Sequence, residues 1–395
     1  MGEGKRMLLS EYLTMAKPNK HDNSALFLRQ IEGWIRLSRT DAAQLCAMNP
    51  ASITALSNEL MQAGLIRECG RALTLSGRKP VFLELVPTAG ISAALLLEGA
   101  YSRLTIHNLH HEIIATVLLP ALLCTESGVK RLHGGVVSFL DGYLSQGLLG
   151  LCVIRGDDAP QDMDSLLKLY EALQASLSIS VYAAGAVSLC CLSEGHMHYP
   201  DTHTCVACLS VTPYQVRIGV MFGDQLLFSH FQSGDIGYTL STGSRPPTPL
   251  KDKVNLNSMA TGALSYRLAH PDAPFRPQEI LGVEYPYLTV LRLAMAGEAA
   301  AVKLVEDYAL SLAVLIYNTA CQYGPSLLVV QHQVLSVLEA AGSRIEAELE
   351  KLFASGQPKP KIIASQLGAI APLYGASRLV LRNALSGAAQ PRRTV

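Results

Sequence analysis

Ser52, Thr54, Ala55 and Asn58 fall on one side of a stretch, Asn49 to Leu65, that reads as an amphipathic helix. Small and short polar side chains on a helix face can approach base edges in a major groove, where Asn pairs with adenine and Thr touches the thymine methyl. That chemistry is recognition, not bond-making. A second set of candidate residues points to metal. His196, His198, His203, Cys205 and Cys208 lie in a short window, and Cys205-Val206-Ala207-Cys208 has the spacing of a zinc knuckle. Cys205 opens a β-run, however, and residues three apart on a strand face opposite ways. The expectation is buried thiols beside a polar loop with surface histidines, and no metal. His107, His110 and His111 flank a predicted hairpin turn and are expected in solvent.

Several elements must position the base-reading face. Asn49 is an N-cap, Pro50 the first helical residue, and Gly64 a left-handed stop. Ile53, Leu56, Leu60 and Ala63 supply the buried side. Before it, Ser38 and Asp41 have capping-box spacing and open a short helix, Arg39 to Ala47, with Arg39 at its start. Asn23 to Leu37 carries Leu26, Phe27, Ile31 and Trp34 at helical spacing and is a third helix. After it, 65–68 and 80–85 read as two strands joined by a loop with a basic tip, Ser76-Gly77-Arg78-Lys79. Three helices and a two-stranded wing predict a winged helix-turn-helix. Its contacts to double-stranded DNA would be Arg39, Asn49, Ser52, Thr54, Ala55, Asn58, Gly77, Arg78 and Lys79.

The composition bounds the rest. A chain of 395 residues, 49% hydrophobic and 16% charged, can build two or three cored domains and is not a disordered one. Formal net charge is zero, which argues against a protein that coats nucleic acid everywhere. The first 80 residues are a few units positive, as suits a DNA-binding head on a neutral body. Nine scattered cysteines fit reduced thiols in a cytoplasm. Met1 to Lys20 lacks the apolar segment of a signal peptide, and no apolar run reaches the length of a membrane span.

From Pro87 the pattern is strand (91–97), strand (101–109), strand (113–119), helix (129–146), strand (148–154), helix (165–177), strand (179–183) and helix (185–194). A second set follows: strands at 205–211, 216–222 and 225–229, then a loop over 240–257. Helices come next at 258–268, 286–296, 299–321 and 334–353, with a strand at 362–365 and a closing helix at 375–385. The fold class is α/β with an all-α/winged-helix head. The head covers 1–86, a first lobe 87–200, a second lobe 201–375, and 376–395 is a helix returning to the first lobe, with a tail.

Four stretches together resemble the repressor branch of the ROK family. They are Asn49 to Leu65, the wing segment Ser76-Gly77-Arg78-Lys79-Pro80, Ser233-Gly234-Asp235-Ile236-Gly237-Tyr238, and Gly375-Ala376-Ser377. The resemblance covers nearly the full chain. It implies a two-lobed ribonuclease-H-like body of the actin and sugar-kinase superfamily, a homodimer or higher oligomer, and a palindromic operator whose A·T-rich flanks take the wing in the minor groove. It also implies a sugar or sugar derivative as effector, with Asp235, Tyr238 and Asn257 as the ligand-binding remnant.

The departures from that family are specific. Its kinases open the body with an Asp-x-Gly-x-Thr phosphate loop, whereas Ala94 to Ala100 has no such pattern. Gly185 and Ala186 stand where a catalytic Asp would take the sugar proton, and neither can. Thr212 to Arg217 replaces a second glycine-rich phosphate loop. The family's zinc ligands are a His and three cysteines, but Tyr238 stands for the His and 241–255 contains no cysteine. Asn257 replaces a sugar-binding Glu. The expected protein is a regulator, and in the first instance a repressor of sugar-related genes, with a pseudo-kinase body. It is not an enzyme, has no cofactor or metal, and is cytoplasmic and nucleoid-associated when on DNA. The rivals are a DNA-binding adaptor governed by a partner protein and, less compatible with these residues, an active sugar kinase.

Overall fold

Two N-terminal caps, at Ser38 and Asn49, and two left-handed stops, at Ala47 and Gly64, bound two successive helices near the start of the chain. The computed structural model describes residues 7–15, 18–33, 37–71, 80–157, 162–198 and 204–386, apart from 224, 229, 232–233, 242–246, 284, 332–334, 355 and 357. The head contains α1 (Leu9–Met15), α2 (Pro18–Gly33), β1 (Leu37–Ser38), α3 (Arg39–Leu45), α4 (Pro50–Gln62), β2 (Ile66–Arg71) and β3 (Val81–Leu85). Ser38 and Asp41 form the reciprocal capping box of α3, each side chain accepting from the other's backbone N–H. Helix α3 ends in a Schellman turn with Ala47 at φ 51°, its neighbour Met48 donating to the Ala43 carbonyl. Helix α4 ends the same way, with Gly64 at φ 76° and Leu65 N donating to the Leu60 carbonyl. The three strands pair antiparallel in the order β1-β3-β2, with a bulge between Glu68 and Gly70.

The first lobe runs β4 (Ile91–Leu97), β5 (Tyr101–Asn108), β6 (Ile113–Pro120), α5 (Glu126–Asp141), β7 (Leu148–Arg155), α6 (Met163–Ser176), β8 (Ser180–Gly185) and α7 (Ala186–His198). Its sheet has the order β6-β5-β4-β7-β8, antiparallel across β4–β5–β6 and parallel across β4–β7–β8. All seven residues of β4 are buried, the mark of a strand covered on both faces. Helix α5 meets the Leu119 face of the sheet at Gly135. The opposite face, which carries Ser92, is met by the last helix of the chain.

The second unit contains β9 (Cys205–Val211), β10 (Val216–Phe222), β11 (Gln225–Leu226), β12 (Leu240–Ser241), β13 (Thr248–Pro249), α8 (Lys251–Val254), α9 (Asn257–Ala269), α10 (Pro277–Ile280), α11 (Pro286–Met295), α12 (Ala299–Tyr323), β14 (Leu327–Val330), α13 (Leu335–Phe353) and β15 (Lys361–Ala364). Its sheet order is β11-β10-β9-β14-β15, with β14 parallel to both neighbours. Ala207, Leu209, Ile218, Leu328 and Val330 share a core with Leu291, Leu312, Ile316 and Ile345 of the helices. The chain closes with α14 (Ala371–Leu385). Contacts divide the molecule into Met1–Leu189 with Pro372–Val395, and Cys190–Ala371, so the boundaries fall inside α7 and at the start of α14.

Head, first lobe and α14 share one apolar cluster: Phe27, Ile31, Ile53, Leu60 and Leu83 of the head with Leu109 of the β5–β6 turn and Leu381 and Leu385 of α14. Each such fully buried side chain contributes about 1.5–3 kcal/mol. Gly375 makes the close approach of α14 to α7 possible, because a Cβ there would run into the Leu189 carbonyl.

Several sequence expectations change. His107 and His111 are buried, not solvated, and His110 is half-buried with its Nε2 against the Leu85 carbonyl at 2.9 Å. His196 is also buried, where a surface residue was expected. Leu26 is on the exposed side of α2, and Trp34, expected beside it in the core, lies outside the described residues. The expected 240–257 loop holds a two-residue β-ribbon, β12–β13, and the short helix α8. Strand β14, between β9 and β15 in the second sheet, was not expected at all. Among the described residues no helix is long and apolar enough to cross a membrane.

Candidate nucleic-acid interface

Helix α4 is presented by the packing of its other side. Ile53, Leu56, Ser57 and Leu60 are buried, and Asn49, Thr54, Ala55 and Asn58 are exposed, with Ser52 half-buried. Asn49 Oδ1 accepts from Ser52 N at 2.7 Å, so this side chain is engaged as the N-cap. Thr54 Oγ1 donates to the Pro50 carbonyl at 2.8 Å, which turns its methyl outward from that bond. With no N–H on Pro50 and Ser52 N held by the cap, the first turn of α4 still presents the positive end of the helix dipole. The exposed face is thus short, polar and unobstructed, the surface type that lies against base edges.

Arg39 is engaged within the head. Its Nε donates to Ser57 Oγ at 3.0 Å and its Nη2 to Glu68 Oε1 at 3.1 Å, tying α3 to α4 and β2. The Glu68 pair is partly solvated, so it is worth at most about 1 kcal/mol. Tyr12 OH hydrogen-bonds Glu59 Oε1 at 3.2 Å and lies 3.0 Å from Ser24 Oγ, which locks α1 to α2 and α4. Gly77, Arg78 and Lys79 of the wing tip lie outside the described residues.

The residues expected to touch a ligand sit in the second unit. Asp235 and Tyr238 are exposed on a short 3-10 turn, and Lys251 Nζ lies 4.0 Å from the centroid of the Tyr238 ring, a cation–π contact. Asn257 opens α9. Its Oδ1 and that of Asn255 are buried and have no hydrogen-bond partner among the described residues. Two buried, unsatisfied amide oxygens are costly unless a donor meets them. Sequence reasoning named Asn257 from resemblance; Asn255 carried no signal, because only burial distinguishes it.

The positions where the resemblance would place kinase machinery lie in the first lobe. Gly185 ends β8 and Ala186 begins α7, buried. The β4–β5 turn is closed by Glu98 N to the Tyr101 carbonyl at 3.0 Å, and it carries the Glu98 carboxylate 3.6 Å from Arg103. Cys205 belongs to the α9–α13 core, whereas Cys208 faces Cys191 of α7, so the pair does point to opposite sides of β9. Burial drives the thiol of Cys205 up to about 11. His203 lies outside the described residues. Among the described residues, no three His, Cys, Asp or Glu side chains are grouped to hold a metal.

No family model matches the chain. The xylose repressor of Bacillus subtilis (strain 168) is 19% identical over 384 residues, covering 92% of this chain and 95% of the repressor. The crystal structure of a ROK family transcriptional regulator, a homolog of the E. coli MLC protein, superposes with a TM-score of 0.70 at 16% identity, covering 93% of this chain and 96% of that one. A ROK family glucokinase from Streptomyces griseus, in complex with glucose and AMPPNP, superposes with a TM-score of 0.55 at 15% identity, covering 73% of this chain and 99% of the kinase. Over nearly its whole length the chain resembles ROK repressors, and its fold is a winged-helix head on a two-lobed, ribonuclease-H-like body.

Proposed function

We propose that this chain, similar from end to end to ROK-type repressors, is a DNA-binding transcriptional regulator that acts as a repressor and transfers no phosphate. The observation that carries the reading is the exposed Thr54, Ala55 and Asn58 face of α4, held rigidly by two capping motifs and a buried opposite side. A sugar repressor and a sugar kinase share the two-lobed body, but only the regulators add such a head over the full length of this chain. A two-fold oligomer reading a palindromic operator follows from the way such heads are used.

Asn58→Ala tests the interface. It is expected to cost about 1–3 kcal/mol at the cognate site and little on random DNA. The comparison is made on fragments selected from genomic DNA by the unaltered protein. Equal losses on cognate and random DNA would make Asn58 a positioning residue.

A small polyhydroxy effector is supported by the buried oxygens of Asn255 and Asn257, which sugar hydroxyls can satisfy. Phosphorylation of that sugar has no base at Ala186 and meets Glu98 in place of a phosphate cradle. With a panel of hexoses and amino sugars plus ATP, ADP release is expected to stay at background while one sugar changes operator binding. ADP production above background would refute the inactive-kinase reading. If no sugar acts and Asp235→Ala is also silent, control by a partner protein is the better account.

A further inference from the structure

A carboxylate is badly placed at Glu32 by every local measure. It is the penultimate residue of α2, where the negative end of the helix dipole repels it, and its side chain is 2% exposed. Only partners from elsewhere in the chain can account for it there as an anion. Two reach it. Arg378 of α14 places Nε 2.9 Å from Glu32 Oε1, and His111 of the β5–β6 turn places Nε2 3.3 Å from the same oxygen. Burial opposes ionisation of Glu32, but the Arg378 guanidinium and the His111 hydrogen bond outweigh it and hold the carboxyl below its ordinary range.

The partners are themselves constrained. His111 sits at φ 63°, a left-handed conformation that costs a non-glycine residue energy, and this turn delivers its ring to Glu32. The ring packs against Tyr374 with centroids 4.8 Å apart, and its Nδ1 is 2.9 Å from Ser377 Oγ. Ser377 Oγ is in turn 2.7 Å from Ser92 Oγ of β4. If His111 Nε2–H donates to Glu32, then Ser377 donates to Nδ1 and Ser92 donates to Ser377, so every hydroxyl is used once. Among the described residues, the titratable and charged groups facing Glu32 are His111 of the turn and Tyr374 and Arg378 of α14, with Arg382 one turn further along α14.

We propose that Glu32, His111 and Arg378 form a latch that fixes the DNA-binding head on the first lobe, and that α14, by holding or withdrawing Arg378 and Ser377, governs how the head meets DNA. The proposal rests on the regulator reading given above. Its structural logic is the position of α14. This helix begins at Ala371, the last residue of the second unit, and its remaining residues belong to the first. A displacement at the start of α14 is felt two turns later by the groups that hold Glu32. The buried pair suits a switch better than a staple, since matched apolar residues at such sites usually stabilise as well as the ions do.

The test uses the full-length protein with Arg378→Met, which removes the cation of the pair, keeps apolar bulk and leaves the buried Glu32 carboxylate with His111. Hydrogen exchange is followed in 24–31 of α2 and in β4, and affinity is measured for a DNA fragment selected by the parent protein. The expected result is unchanged protection of β4, faster exchange in α2, and an affinity loss of roughly 5- to 150-fold, the usual range of a coupling between sites. Unchanged α2 exchange with unchanged affinity would overturn the latch, and so would faster α2 exchange with unchanged affinity. If that variant does not fold, His111→Gln is read the same way. A parent that selects no DNA would sink the regulator reading alone, because the exchange of α2 still reports whether the latch holds the head.

Discussion

Lowering the pH from about 6.5 to about 4 is expected to remove roughly 3 kcal/mol of stability from the first unit through His107 alone. Its ring is buried among β-sheet residues, with Nε2 2.8 Å from Thr105 Oγ1 and Nδ1 3.1 Å from the His111 carbonyl. Burial pushes its pKa down from the ordinary 6.5 to about 4. Between those values the unfolded chain binds a proton that the folded ring refuses. The stabilisation is therefore complete above pH 6.5 and is lost as the pH falls towards 4. Glu32 acts in a lower window. Its carboxyl is held below the ordinary 4.5, so its contribution is complete above that value and is lost as the pH falls from there through the lowered one. Urea unfolding at steps across this range separates the two. His107→Gln is expected to flatten the slope between pH 6.5 and 4 and leave the loss at lower pH. An unchanged slope in that variant would place the acid sensitivity elsewhere.

The head was legible because its signals are local. Ser38 with Asp41, Asn49 with Pro50, and Gly64 each act within one turn of chain, so they bound α3 and α4 in the sequence to within a few residues. The exposed side of α4 with Thr54, Ala55 and Asn58 followed from helical period alone. Strand β14 has no such signal. Leu327–Val330 is four buried apolar residues between two parallel neighbours, with no alternation to set it apart from the helix before it. The histidines at the β5–β6 turn looked like solvated loop residues, because what buries them is far away in the chain. Glu32, Tyr374, Ser377 and Arg378 lie well upstream or downstream of His111. One faint signal existed: Tyr374, Arg378 and Leu381 share a helix face, which puts a charge on an otherwise apolar stripe. The candidate ligand site was legible only by resemblance, and Asn255 not even so.

Leu381→Ala is expected to destabilise the protein by about 2–5 kcal/mol, and to do so in the DNA-binding head. Leu381 is 1% exposed and Leu385 is fully buried, and both pack in the cluster built by Phe27, Ile31, Ile53, Leu60 and Leu83. Truncation removes buried methyl groups and leaves a cavity that α14 cannot close, since Gly375 already rests against the Leu189 backbone. The head is the smaller partner in that cluster and has only a three-stranded sheet, whereas β4 and β7 lie inside a five-stranded one. The loss is thus expected as faster hydrogen exchange in α2 and β3 and weaker operator binding, with β4 and β7 nearly unchanged. Leu268→Ala is the matched control, because Leu268 is 86% exposed and its truncation should cost little. Exchange that quickens only within α14 would mean that the head's core stands without it. Exchange that quickens in α2 and β3 would make the last helix part of the head in energetic terms, although α4 ends more than 300 residues earlier in the chain.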